Sequence, residues 1–173
     1  MLESLKRKYI NWQIKSQKVK REKAFVDWQT AENVVVLMAF DTQKNTLLES
    51  VLRKLSEKNV SVWCYLPLKG FLRQDFEQVT YVNLDSVSFL QKPNKIVTNK
   101  FLSQPADLLL DLTTKEILPM KYLAAISKAT CRCGLKKEGY GFYDFEIDCK
   151  GKVQETELLE QILHYLSIIK TKK

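Results

Sequence analysis

The chain has 173 residues, of which 45% are hydrophobic and 28% are charged, with five glycines and four prolines. This length fits one domain with its own core, and the composition excludes collagen-like, mucin-like and wholly disordered classes. The longest uninterrupted apolar run, 34–40, is far shorter than the roughly 20 residues that a membrane-spanning helix needs. The first residues lack the apolar stretch of a secretory signal, so we expect a cytoplasmic protein.

The formal net charge of +8 is distributed unevenly along the chain. Residues 1–23 carry +6 and 170–173 carry +3, so 24–169 is nearly neutral at −1. A basic face on a folded domain would indicate a phosphate-binding surface, whereas charge confined to the two ends can simply keep them in water. The distribution therefore disfavours nucleic-acid binding.

Apolar residues at helical spacing predict a basic amphipathic helix at the N-terminus. This helix and a linker occupy 1–30, in front of a single α/β domain over 31–173. The apolar stripe of the helix consists of Leu2, Leu5, Tyr9, Trp12 and Val19. Three uses compete for it: packing on its own domain or on a second copy of the chain, lying on an anionic membrane, and capturing a groove on a protein partner. Leu5, Tyr9 and Trp12 are the residues expected to contact a partner.

From residue 33 onward the sequence alternates between predicted strands and predicted helices. Apolar runs predict strands over 33–40, 60–66, 79–84, 107–112, 130–135 and 143–149. Helical periodicity predicts helices over 47–58, 117–128 and 156–169, and 86–105 is irregular or partly helical. The repeated order of strand and helix predicts an α/β three-layer sandwich with a mostly parallel sheet of five or six strands, Rossmann-like or flavodoxin-like in type.

Several motifs of catalysis and cofactor binding are absent from the sequence. There is no P-loop, no G-x-S-x-G elbow, and no G-x-G-x-x-G after the first predicted strand, where 41–45 contains no glycine. The four cysteines lack the paired spacing of zinc ligands, and Cys131 and Cys133 are expected to be buried on one face of a strand. The sequence therefore predicts no metal and no cofactor, and it leaves open whether the protein is an enzyme.

Two acidic residues follow predicted strands, at the sheet edge where open α/β folds bind ligands. Asp41 comes directly after the first strand, and Asp111 lies near the end of the fourth, followed by Thr113 and Thr114. A carboxylate there can orient a ligand hydroxyl or act as a base, and threonine hydroxyls can help to hold an anion. The competing interpretation is that Asp41 and one of the threonines are helix N-caps. Arg132 would either add a cation to this rim or lie at the surface beside a turn glycine.

Four segments follow one another in the second half of the chain: ADLLLDLT, a predicted helix ending in AAISKAT, CRCGL and YGFYDFEI. Through these segments, much of the chain resembles a family of small uncharacterised bacterial α/β proteins. Arg132 and Gly134 match the R-x-G element of that family, and Tyr143 and Asp144 match its Y-D element. Larger apolar residues are expected at the two cysteine positions of CRCGL. The resemblance implies no assigned activity.

The chain is also similar, more weakly, to the N-terminal half of heptosyltransferase-like glycosyltransferases, which share R-x-G after a D-L-x-[IL]-D-L strand. Those enzymes bind the sugar nucleotide mainly in a second α/β half, which does not follow in this sequence. The resemblance therefore implies a lone half domain rather than a complete transferase.

The leading hypothesis is a non-enzymatic interaction module that works through its N-terminal helix, by binding a protein partner or by self-association. One alternative is a small-ligand binder or enzyme at the carboxyl edge of the sheet, with Asp41, Asp111, Thr113, Thr114 and Arg132 as its site residues. Another is peripheral binding to an anionic membrane, on which basic residues are favoured.

Overall fold

The computed structural model describes residues 1–40, 46–70 and 76–170. Its strands are β1 (Asn33–Ala39), β2 (Asn59–Tyr65), β3 (Val79–Val82), β4 (Leu108–Asp111), β5 (Cys131–Leu135) and β6 (Phe145–Ile147). Its helices are α1 (Leu2–Ser16), α2 (Thr46–Lys54), α3 (Lys95–Leu102), α4 (Leu118–Ile126) and α5 (Glu155–Ile168). The strands form one sheet in the order β3-β2-β1-β4-β5-β6, and every neighbouring pair is parallel.

This arrangement confirms the predicted α/β class and the parallel sheet, and the strand order is that of a Rossmann-like fold. The direction of travel across the sheet reverses between β1 and β4, which lie side by side with Leu37 opposite Asp111. The strong apolar run of β1 follows from this central position, because a strand covered on both faces has no side that faces water.

Helices cover both faces of the sheet. The core on one face joins the sheet to α2 and α5, and it contains Val34 and Val36 of β1. The core on the other face joins the sheet to α1, α3 and α4, and it contains Val35 and Leu37. Alternation along β1 supplies both cores, since successive strand residues point to opposite faces.

α4 is the most buried helix, and all nine of its residues are inaccessible or nearly so. Pro119 lies in its first turn, where the missing N–H costs no helical hydrogen bond. α1 and α3 pack against the sides of α4. None of the helices in the described residues is both long enough and apolar enough to cross a bilayer.

α1 packs on α4 through a different face from the predicted stripe. Ile10 is fully buried, whereas Leu5 is 55% exposed and Trp12 is 62% exposed. Tyr9 is half-buried at the boundary between the two faces. Tyr9 and Val19 of the predicted stripe nevertheless pack against the core. Packing of the stripe on its own domain, one of the three predicted uses, is therefore only partial, and the contact surface is centred on Ile10.

The segment after α1 is also attached to the domain. Arg21 donates to both carboxylate oxygens of Asp144, at 2.6 and 2.7 Å, and to the carbonyl oxygens of Ala129 and Thr130. The amide of Trp28 donates to the carbonyl oxygen of Leu166 at 3.0 Å. Some of the N-terminal basic charge is thus used in structural ion pairs.

Candidate functional site

A cavity of about 350 Å³ opens at the carboxyl ends of β4 and β5. Its wall comes from α1, from the loop after β4, from α4 and from the loop after β5. The lining residues are Arg7, Asn11, Thr114, Lys115, Glu116, Lys121, Lys137, Glu138, Gly139 and Tyr140. This position, beside the reversal in strand order, is where open α/β sheets bind ligands.

Two lysines reach this cavity from nearly complete burial: 1% of the Lys121 side chain and 10% of the Lys137 side chain are exposed. The ammonium group of Lys121 donates to Glu116 at 2.8 Å. The ammonium group of Lys137 donates to the carbonyl oxygen and the hydroxyl of Thr113, at 2.6 and 2.9 Å. Both nitrogens lie over the ring of Tyr140, at 4.7 and 4.3 Å from its centroid. The two positive charges are therefore held beside one aromatic ring.

The pKa values in the wall reflect burial and neighbouring charge. Burial lowers the pKa of Lys137, the charge of Asp111 opposes this shift, and the charge of Lys121 adds to it, so the pKa lies below its ordinary value. Burial raises the pKa of Glu116, but hydrogen bonds from Lys121 and Arg7 outweigh it and leave the pKa below its ordinary value. Glu116 is therefore ionised at neutral pH.

Tyr140 is 1% exposed, and its hydroxyl has no hydrogen-bond partner among the described residues. Burial raises its pKa above the ordinary range, the charges of Asp111 and Glu116 act in the same direction, and the Ile117 amide acts more weakly against them. A buried hydroxyl is normally hydrogen-bonded. Tyr140 lines the cavity, but its hydroxyl oxygen is itself shielded from solvent.

The predicted site residue Asp111 lies beneath this cavity and is fully buried. One carboxylate oxygen accepts from the amide and the hydroxyl of Thr113, at 2.9 and 2.6 Å, and the other accepts from the hydroxyl of Tyr143. Burial and the charge of Asp111 keep the pKa of Tyr143 well above its ordinary value, so the hydroxyl stays protonated as a donor. Asp111 therefore anchors the wall from behind and is not available as a base.

The capping interpretation of the two threonines is wrong. α4 begins at Leu118 with Ile117 as its N-cap, so both threonines lie too early in the loop to cap it. The hydroxyl of Thr113 donates to Asp111 and accepts from Lys137. The hydroxyl of Thr114 donates to Glu155 at 3.0 Å, and Thr114 lines the cavity. Asp41 lies outside the described residues.

Arg132 is neither at the rim nor at the surface, and both sequence interpretations of it are wrong. It lies within β5 opposite Leu109, is 4% exposed, and its guanidinium donates to the carbonyl oxygens of Ser127 and Phe142. Burial lowers its pKa to about 10, with the charge of Arg21 acting in the same direction and that of Asp144 against it. The register sets this outcome, because Gly134 rather than Arg132 is level with Asp111.

Four residues of the sequence pattern form one packed cluster behind the cavity. A Cβ atom on Gly134 would come within 2.5 Å of Cζ of Tyr143, so only glycine lets that ring lie against β5. Asp144 accepts from the amide of Arg132 at 2.9 Å as well as from Arg21. The R-x-G and Y-D elements therefore act together: they position the Tyr143 hydroxyl on Asp111.

The cavity residues Arg7, Glu116, Lys121, Lys137 and Tyr140 were not predicted as a site. The sequence does point to Lys121 as an unusual residue, since it lies inside the apolar run ILPMKYLAAI. A helix that is apolar on all sides is buried, so its one lysine is expected to be buried too. The sequence does not point to Lys137, because it is one of two adjacent lysines in a turn. In the described ranges, no group of three or more His, Cys, Asp or Glu residues is placed to hold a metal ion.

Comparisons with known proteins identify a family but no activity. A search of curated proteins and a search of solved structures found no match to the chain. The model of DUF6913, a family of unknown function, matches residues 3–169. This match confirms, in coarse form, the expected resemblance to a family without an assigned activity. It extends over nearly the whole chain, and the chain therefore belongs to the DUF6913 family.

Proposed function

We propose that the protein binds a small anionic ligand in the cavity at the carboxyl ends of β4 and β5. The observation that carries this proposal is the burial of two ammonium groups, those of Lys121 and Lys137, on the wall of one cavity. Removing an ammonium ion from water costs several kcal/mol unless an anion compensates for it. A ligand carboxylate or phosphate would supply that compensation.

The charges around the cavity favour an anion. Four basic and two acidic side chains line it, which gives a net charge of +2. Glu116 is shared between Lys121 and Arg7, so neither cation has this carboxylate to itself. Lys137 lies 3.8 Å from Asp111, a carboxylate already engaged by Thr113 and Tyr143. Of the two buried lysines on the wall, Lys137 is therefore the one whose positive charge is less compensated.

The neutral wall residues suit the rest of a small polar ligand. Asn11 and Thr114 can exchange hydrogen bonds with ligand hydroxyls. Sugar phosphates are a natural class to test, because a phosphate would meet the lysines while sugar hydroxyls would meet Asn11 and Thr114. We propose binding and assign no reaction.

Isothermal titration calorimetry at constant ionic strength tests this proposal with inorganic phosphate, pyrophosphate, glucose 6-phosphate and citrate as ligands. Lys137→Met removes the ammonium group while keeping most of the apolar stem, and it should weaken binding at least tenfold. Lys136→Met is the matched control, because Lys136 is adjacent in sequence, 58% exposed and paired with Asp148 outside the cavity.

We expect at least one of these anions to bind the wild type with a Kd below 1 mM, and we expect the control variant to stay within twofold of wild type. Failure of all four to bind the wild type would contradict the proposal. So would equal affinities of the Lys136 and Lys137 variants.

A second candidate function, docking on another surface through α1, is favoured by the exposure of that helix. Leu5 and Trp12 lie mostly in water although α1 is packed on the domain through Ile10. The ring of Tyr9 lies 6.2 Å from that of Trp12 and extends this apolar surface inward. Contiguous exposed apolar side chains mark interaction sites more often than isolated ones do. A protein partner, a second copy of the chain and an anionic membrane are the surfaces that such a helix can meet.

A further inference from the structure

Basic charge is concentrated on one face of the folded domain. On that face, α1 and α3 carry six basic residues and one acidic residue, a net charge of +5, whereas the one lysine of α4, Lys121, is buried. The two helices on the opposite face, α2 and α5, carry a net charge of −2. Because α1 folds onto α4, its charge belongs to a surface of the domain and is not confined to a free end.

Exposed apolar side chains lie on the same basic face. Phe89, in the loop before α3, is 72% exposed, and Ile96 on α3 is 80% exposed. The ammonium group of Lys6 on α1 lies 5.7 Å from the ring centroid of Phe89, so α1 and this loop are neighbours. With Leu5 and Trp12 of α1, they form what we call the docking face: Leu5, Trp12, Phe89 and Ile96.

Exposed lysines flank the apolar part of α1. Lys8 and Lys15 each follow an apolar residue of the docking face by three positions, which puts them beside Leu5 and Trp12 on the helix surface. The one acidic residue of α1, Glu3, is paired with Lys6 at 2.8 Å and does not offset these lysines. The result is an apolar ridge with a leucine and a tryptophan, bordered by ammonium groups.

We propose that the docking face binds the surface of an anionic lipid bilayer. This inference rests on the second candidate function above and names its partner. Tryptophan and leucine beside lysines is the pattern of helices that lie in the headgroup region, where the rings enter the interface and the ammonium groups meet lipid phosphates. α1 lies along the surface of the domain because it packs on α4. The exposed side chains of Leu5 and Trp12 can therefore enter the membrane interface without any refolding of the protein.

The charge and the apolar side chains of the docking face together favour a membrane over a second copy of the chain or a nucleic acid. Pairing with a second copy would bring two strongly basic faces together, which like-charge repulsion opposes. The phosphates of a nucleic acid could pair with the lysines, but that charged backbone would offer no apolar contact to Leu5 and Ile96. An anionic bilayer offers both an apolar interior for the side chains and phosphates for the lysines.

Vesicle co-sedimentation tests the proposal with the full chain. We expect binding to vesicles of 70% phosphatidylcholine and 30% phosphatidylglycerol, at least tenfold weaker binding to pure phosphatidylcholine, and weaker binding at 500 mM than at 50 mM NaCl. The double variant Leu5→Ser/Trp12→Ser should lose at least tenfold in affinity. Its matched control is Tyr165→Ser/Ile168→Ser, which removes an exposed apolar pair from α5 on the opposite face and should bind like wild type.

Circular dichroism of both double variants checks that they are folded, as expected from side chains that contribute little to the core. Equal binding to neutral and anionic vesicles, or equal binding by the two double variants, would overturn the lipid proposal. Absence of vesicle binding together with a dimer by light scattering that Leu5→Ser/Trp12→Ser dissolves would also overturn it, while the second candidate function would stand. Absence of both vesicle binding and a dimer would overturn the lipid proposal and leave a protein partner as the surface for the second candidate function. None of these outcomes bears on the anion cavity.

Discussion

Replacing Gly134 by alanine is predicted to destabilise the protein although alanine is only one methyl group larger. An ideal Cβ on Gly134 would lie 2.5 Å from Cζ of Tyr143 and 2.8 Å from both Cε atoms. Carbon atoms in optimal contact are about 3.5–4.0 Å apart, so the ring has to move by about 1 Å or more. Tyr143 is 8% exposed and packed between Tyr140 and Phe142, at ring distances of 5.9 and 5.0 Å, which leaves little space for that movement.

Two costs follow from this displacement. Overpacking of a filled core costs about 1–3 kcal/mol. Movement of the ring also breaks the hydrogen bond from the Tyr143 hydroxyl to Asp111, and a hydrogen bond to a charged group contributes about 1.5–3 kcal/mol. The amide and hydroxyl of Thr113 still donate to the other oxygen of Asp111, so the carboxylate loses only one of its three hydrogen bonds from Thr113 and Tyr143. The free energy of unfolding should therefore fall by about 3 to 5 kcal/mol.

Urea denaturation followed by circular dichroism measures this loss. Gly141→Ala is the matched control, since an added Cβ there meets nothing within 4 Å, and it should lie within about 0.5 kcal/mol of wild type. In a Tyr143→Leu background, Gly134→Ala should cost at least about 1 kcal/mol less than in wild type, because the ring that it strikes is gone. A Gly134→Ala variant as stable as the Gly141→Ala control would refute the reasoning, as would strictly additive effects of the two substitutions.

Two further predictions concern the ion pair between Arg21 and Asp144. Burial raises the pKa of Asp144, but hydrogen bonds from Arg21, the Arg132 amide and Lys23 outweigh it and leave the pKa below its ordinary value. The ionised carboxylate therefore contributes stability above the unfolded-state pKa of about 4, and this contribution is lost as the pH falls toward the lower folded-state value. Urea midpoints between pH 2.5 and 7 should show a flatter acid decline for Asp144→Asn than for wild type, and parallel curves would contradict the assignment. Arg21→Met leaves Asp144 without its bidentate partner and should cost about 3 kcal/mol, whereas the neighbouring exposed variant Lys20→Met should change the urea midpoint little.

The sheet was predictable from the sequence because the burial of each strand leaves an apolar pattern within that strand's own residues. Strands covered on both faces have to be apolar throughout, and β1 and β4 show this in continuous runs. The placement of Asp111 at the carboxyl edge follows from the same pattern, since the residue ends a buried run. The hydrogen bond between Asp111 and Tyr143 could not be predicted, because Tyr143 lies 32 residues away and its ring reaches Asp111 only across a glycine of the neighbouring strand.

The packed face of α1 could not be predicted from helical periodicity alone. Part of the predicted stripe, including Leu5 and Trp12, is left in water, whereas Ile10, which lies off the stripe, is fully buried in the core. Periodicity finds the most apolar face of a helix, but it does not identify which surface covers that face. The cavity was missed for a related reason, since Lys121 and Lys137 come from separate elements that only the fold brings to one wall.

The most direct test of anion binding in the cavity is an NMR titration that observes the lysine ammonium groups. Buried lysine ammonium groups exchange slowly enough with water to give separate signals, and those of Lys121 and Lys137 are the most shielded of the cavity cations. Titration with whichever of the four anions binds in calorimetry should shift these two signals together, with one dissociation constant, and leave Lys136 unchanged. Shifts spread over the exposed lysines, with Lys121 and Lys137 unaffected, would contradict the account.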